Sequence, residues 1–183
     1  MKHSTNTSRI TKTFGIGLVF TTLFLFAGTG FATIPQEKAT YKADGGQAKQ
    51  EAGVHQAIEK AGDSFNVFIR SAAKSRLKDT NPVFATLTVD ASGKTISIAG
   101  DGEVLALPGK NGEATPWTSP KGKTMKVQQW VSGSTIKRVF TSDTGVKTMT
   151  YVFTPDAKAL TIDAKVTSKK LKKPLVYRLH YTQ

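Results

Sequence analysis

The sequence predicts a mainly β protein with an N-terminal α-helix: an antiparallel meander sheet or small barrel of seven or eight strands, packed against one long or kinked helix. Three observations carry this reading. Between Phe84 and Gln183, short alternations of apolar and polar residues are broken by turn signals such as Ser92-Gly93, Asn111-Gly112, Ser132-Gly133, Asp143-Thr144-Gly145 and Pro155-Asp156. Upstream, from Gln47 to Asp79, apolar residues recur at helical spacing. The chain of 183 residues contains no cysteine, so stability has to come from packing rather than from cross-links.

Residues 1–32 read as a signal peptide. Lys2, Arg9 and Lys12 form a basic front without an acid, an apolar run extends from Phe14 to Phe31, and Gly30-Phe31-Ala32 supplies small residues for cleavage. An uncleaved anchor is the alternative, because the run approaches the roughly 18–20 residues that span a bilayer. Either route takes the folded part out of the cytoplasm, so a periplasmic or secreted location is expected. Residues 33–46 are polar and glycine-containing and read as a flexible leader. The single domain is expected over 47–183.

In the helical region, Val54, Ile58, Ala61, Phe65, Phe68 and Ala72 fall on one stripe. Gly62-Asp63-Ser64 interrupts it with capping residues, which predicts two helices or one kinked helix. Asn81-Pro82 ends the region, since the residue before proline is driven out of the α conformation. Arg70, Lys74, Arg76 and Lys78 form a basic side, either solvated or with Arg70 or Arg76 anchoring the helix to a buried acceptor.

Alternate residues of a strand share a face. Ala85, Leu87 and Val89 belong together, as do Ile96 and Ile98, with Leu105 and Leu107 a weaker continuation. Met125 and Val127 oppose Lys126 and Gln128, and Trp130 falls on the lysine side. Met149, Tyr151 and Phe153 share a face, then Leu160, Ile162, Ala164 and Val166, then Leu175, Tyr177, Leu179 and Tyr181. One strand is anomalous: the face of Ile136 and Phe140 carries Arg138. A buried arginine is costly without an anion or hydrogen-bonded partners. Arg138 therefore either holds a ligand carboxylate or phosphate inside the fold, or turns to water with Val139 inward. Trp117 is expected to cover an edge or to line a ligand wall.

Phe68-Ile69-Arg70, Ser75-Arg76-Leu77, Thr80-Asn81-Pro82 and the closing run Pro174-Leu175-Val176-Tyr177-Arg178-Leu179-His180-Tyr181 resemble a group of small secreted bacterial lipocalin-like proteins of unknown function. The likeness covers most of residues 47–183. It implies a lipocalin-like meander barrel that holds an apolar ligand. In the related fatty-acid binders an arginine and a tyrosine two positions apart on a late strand bind the carboxylate. Here Arg178 is followed at that spacing by His180, and Tyr177 and Tyr181 lie on the other face.

Other chemistries find little support. His55 and His180 lack metal-ligand spacing, no G-x-S-x-G elbow occurs, and Gly122-Lys123-Thr124 precedes a strand instead of the helix a phosphate loop requires. Asp101 and Glu103 are placed by Gly100 and Gly102 in a hairpin turn. No enzyme, cofactor or metal is expected. The chain has 26 basic and 13 acidic residues; the first 32 carry three of the basic ones, which leaves a net +10 on the remainder. No nucleic-acid motif accompanies that charge. Lys169, Lys170, Lys172 and Lys173 form its densest cluster, read as a solvated hairpin loop or as a contact for an anionic membrane or acidic envelope partner. The expected function is binding of a small apolar ligand, such as a lipid and with an anionic group, with Arg138, Tyr151, Tyr177 and Tyr181 as the candidate site. A non-enzymatic structural protein docking through its basic surface is the alternative.

Overall fold

The computed structural model describes residues 33–93, 95–109, 111–119 and 122–183; the expected signal peptide lies outside them. Among the described residues, ten antiparallel strands form one sheet, with two helices inserted between the first strand and the second. The chain runs β1 Ala39–Ala43, α1 Gln47–Gly62, α2 Val67–Thr80, β2 Thr86–Asp90, β3 Ser97–Gly100, β4 Glu103–Ala106, β5 Thr115–Thr118, β6 Thr124–Ser132, β7 Thr135–Ser142, β8 Gly145–Phe153, β9 Ala159–Ser168 and β10 Leu175–Thr182. The class matches the sequence reading, but the strand count exceeds the expected seven or eight.

Strand order is β4-β3-β2-β1-β10-β9-β8-β7-β6-β5. Each strand from β2 to β10 therefore neighbours its successor, except across β4 and β5, and β1 joins the last strand to the second. A meander whose first strand pairs with its last is a barrel in outline, and here the ladder is interrupted between β4 and β5. The extra strands come from two places. Residues 39–43, expected in a flexible leader, are β1, which pairs Tyr41 with Leu87 and Ala43 with Tyr181. Thr115-Pro116-Trp117-Thr118 is the edge strand β5, where proline's missing N–H is tolerated.

The helical stripe also changes at its middle. Val54, Ile58, Ala61 and Phe65 are buried as expected, whereas Phe68 is 95% exposed and Ala72 lies at the surface. The break at Gly62-Asp63-Ser64 starts a new helix, capped by the Asn66 side chain accepting from the Phe68 N–H, and α2 follows its own direction. Lys74 pairs with Glu59 at 2.7 Å and with Asp63 at 3.2 Å, and Lys78 reaches Glu59 at 3.2 Å, tying α2 back to α1. No helix among the described residues is long and apolar enough to cross a membrane.

The core lies inside the curled sheet and beneath α1. Val54, Ile58 and Ala61 pack with Tyr41, Leu87, Val89, Ile98, Ile136, Tyr151, Phe153, Leu160, Ile162, Leu175, Leu179 and Tyr181. Alternation is strictest in β10, where Leu175, Tyr177, Leu179 and Tyr181 are buried and the residues between them are exposed. In β4 a register shift at Ile98/Ala99 makes Ala106 the buried residue; Leu105 is half-buried and Leu107 exposed, against the expectation that those two continue the inward row.

Candidate functional site

The unusual feature of the interior is a buried cation. Strand β7 presents Ile136, Arg138 and Phe140 to the inside, and Arg138 has no exposed surface. Of the two arrangements open to this strand, the structure adopts the one with arginine inward. Its register places Ile136 opposite Tyr151 and Arg138 opposite Met149, so the same parity continues into β8.

Arg138 makes two hydrogen bonds. Its Nε donates to Gln129 Oε1 at 2.9 Å, across the β6–β7 pair, and one Nη donates to the Ile96 carbonyl at 2.9 Å, just before β3. The second contact spans the inside of the barrel and joins the two arms that flank the β4–β5 interruption. The other Nη is buried and has no hydrogen-bond partner among the described residues. Burial pulls the Arg138 pKa down, against a smaller opposing effect of Tyr151. An arginine remains cationic through such a shift, so a full charge is held in a dry place with one whole Nη unspent. Tyr151, also fully buried, has its pKa pushed up by burial and pulled back by Arg138; its hydroxyl lies 3.6 Å from Met149 Sδ.

Apolar surface adjoins this charge on one side. Trp117 and Phe140 meet edge to face with ring centroids 5.9 Å apart. Both are half-buried, as are Met125, paired with Trp117, and Met149, paired with Arg138. Trp117 therefore belongs to a wall beside the Arg138 strand.

Lys147 is a second inward cation. It sits two residues before Met149 on β8 and pairs with Phe140 on β7 and Val166 on β9. The residue is partly buried, and desolvation of its ammonium group lowers the pKa to about 8. Its Nζ donates to the Thr80 carbonyl at the end of α2 at 3.3 Å. Among the described strand residues, the inward rows contain Arg138 and Lys147; Asp90 and Asp163 occupy outward positions, and Glu103, opposite Gly100 on the inward row of β4, is exposed beside the β3–β4 turn.

The four residues predicted as a site divide into two pairs. Arg138 and Tyr151 occupy adjacent strands and interact electrostatically. Tyr177 and Tyr181 are also inward and buried, but their hydroxyls are committed elsewhere. Tyr177 donates to Asn81 Oδ1 at 3.1 Å and Tyr181 to the Phe84 carbonyl at 3.0 Å, which fastens the α2–β2 connection to β10. Burial raises both pKa values, that of Tyr181 to about 12. Their geometry is that of anchors. Gln129 and Lys147 were missed by the sequence reading; extending the alternation of Met125 and Val127, and of Met149 and Tyr151, by one further step identifies each.

The remaining candidates are placed at the surface. Lys169, Lys170, Lys172 and Lys173 lie exposed in the β9–β10 hairpin. Arg178 and Asp163 form a two-pronged ion pair on the outer face, at 2.6 and 3.0 Å. Arg70 donates to the carbonyls of Phe65 and Asp63 at 3.3 and 3.4 Å, so it caps the interhelix turn instead of reaching the sheet. The Asp101 carboxylate receives the Ala85 and Thr86 N–H groups at 3.2 and 2.8 Å, a structural role in the β3–β4 turn. No cluster of three or more potential metal ligands exists among the described residues. Two surface clefts, about 530 Å³ beside α2 and about 510 Å³ around Pro35–Thr40, are lined by neither Arg138 nor Lys147.

No family model matches the chain, and no curated protein matches it by sequence. Among solved structures it is similar to fatty-acid-binding proteins. One from Manduca sexta gives a TM-score of 0.48 at 18% identity, over 81% of this chain and 100% of that one. Fatty-acid-binding protein 1 of Echinococcus granulosus gives 0.44 at 14% identity, over 84% and 97%. A brain fatty-acid-binding protein of Drosophila melanogaster gives 0.45 at 13% identity, over 79% and 97%.

Proposed function

We propose that this protein is an exported carrier of a small apolar ligand with an anionic headgroup, and that Arg138 receives the headgroup. One observation carries the reading: among the described residues, the fully buried Arg138 guanidinium has an Nη without a hydrogen-bond partner and makes no ion pair with a carboxylate. A charge in that position costs several kcal/mol of desolvation, on the order of what an ion pair with good geometry returns. An entering carboxylate or phosphate would supply the missing acceptor and a charge-assisted hydrogen bond. The half-buried Trp117, Met125, Phe140 and Met149 would cover the apolar part of the ligand, by the same area-proportional transfer that drives core formation. Tyr151 lies next to the guanidinium as a neutral neighbour able to complete the headgroup shell. The activity is binding, without a chemical step.

Native mass spectrometry tests this reading. Protein purified from its own cell envelope without detergent is expected to carry an adduct with the mass of a lipid or similar amphiphile. A clean apo mass, unchanged after incubation with an envelope lipid extract, would refute the proposal.

A further inference from the structure

Resting on the binding reading above, we infer that the headgroup site is built for a doubly charged anion, with Arg138 and Lys147 together selecting a phosphate monoester over a carboxylate. Three features of the inward surface lead there.

The first is spacing. Arg138 pairs with Met149, and Lys147 lies two residues before Met149 on the same face of β8. Such a diagonal cross-strand pair has Cα atoms about 7–8 Å apart, within joint reach of two long side chains on a shared group. Like charges at that separation repel, so the arrangement is unfavourable until an anion lies between them.

The second is charge balance. The described inward strand residues carry two cations, on the neighbouring strands β7 and β8, and one acid, Glu103, which is exposed on β4 and pairs with neither. A carboxylate neutralises one of them. A phosphate monoester carries about −1.5 to −2 at neutral pH and three acceptor oxygens, enough for both.

The third is availability. Among the described residues, one Nη of Arg138 has no partner, and Lys147 gives its ammonium to the Thr80 carbonyl at 3.3 Å without an ion pair to a carboxylate. Neither cation has to break an ion pair to accept a ligand. The lysine stem is flexible and the guanidinium is fixed by Gln129 and Ile96, so the arginine sets the position and the lysine follows the charge.

Competition binding with dodecyl phosphate and dodecanoate, which have the same chain length, tests the inference at pH 7. The native protein is expected to favour the phosphate at least tenfold. In Lys147→Gln that ratio falls toward one, while Lys126→Gln, an exposed lysine on the outer face of β6, keeps it. Equal affinities in the native protein, or an undiminished ratio in Lys147→Gln, would overturn the inference and leave the binding reading standing. Failure of both amphiphiles to bind would overturn both.

Discussion

Lys147 makes the interior charge visible in the pH dependence of folding. Its folded pKa is lowered to about 8 by desolvation, whereas an unfolded lysine titrates at about 10.4. Between those two values the unfolded chain binds more protons, so stability rises with pH across that window. Tyr41, Tyr151, Tyr177 and Tyr181 act in the opposite sense. Burial raises their folded pKa values, so above about pH 10 the unfolded tyrosines ionise first and stability falls. Denaturant titrations at intervals from pH 7 to 11 should therefore show a rise and then a decline. Lys147→Met is expected to flatten the rising limb, by on the order of 1–3 kcal/mol. An unaltered limb in that variant would mean that the lysine is solvated in the folded protein. At this scale the sequence placed Arg138 on one face with Ile136 and Phe140 but left open whether that face or the Val139 face turns inward, because two large apolar residues and one charge pull in opposite directions. It was uninformative about hydroxyl partners, because Tyr177 and Tyr181 share a face with the core whether they bind a ligand or a distant carbonyl.

At the scale of elements, the α2–β2 connection is held to β10 by two tyrosines. The Asn81 amide links both sides, donating to the Leu77 carbonyl at 2.8 Å while accepting from Tyr177. Phe84 lies against Gly100 of β3, where any side chain would collide with its ring, and its carbonyl receives Tyr181. Tyr177→Phe leaves the buried Asn81 oxygen without its donor, which costs about 1–3 kcal/mol. Hydrogen exchange should quicken in α2 and the 81–85 segment before it does in β8 or β9. Uniform acceleration across the sheet would show that Tyr177 acts as a core filler and not as a fastener. The elements that could be read from the sequence are those with local signatures: the hairpins of β6 to β10 and the helix break at Gly62-Asp63-Ser64. β1 has none. Ala39-Thr40-Tyr41-Lys42-Ala43 is half polar, and its strand identity depends on β2 and β10, the latter well over a hundred residues away. The exposure of Phe68 was equally hidden, since a single helical stripe assumes a single axis and α2 takes another.

For the molecule as a whole, a ten-stranded meander, interrupted between β4 and β5, encloses an apolar core with Arg138 buried among its inward residues, and half-buried Trp117, Met125, Phe140 and Met149 lie on β5 to β8. The Arg138–Ile96 bond bridges the two arms, so the charge that would bind a headgroup also helps fix the curl. The basic exterior, with Lys169, Lys170, Lys172 and Lys173 exposed on one hairpin, is separate from this interior. A buried charge retained without a protein counter-ion is costly for stability. Calorimetric titration of dodecanoate and of dodecanol into the native protein and Arg138→Met tests whether the buried guanidinium receives the headgroup. The native protein is expected to prefer the carboxylate at least tenfold, and Arg138→Met is expected to lose this preference. Equal affinity of the native protein for acid and alcohol, or a variant that still prefers the acid, would refute that role.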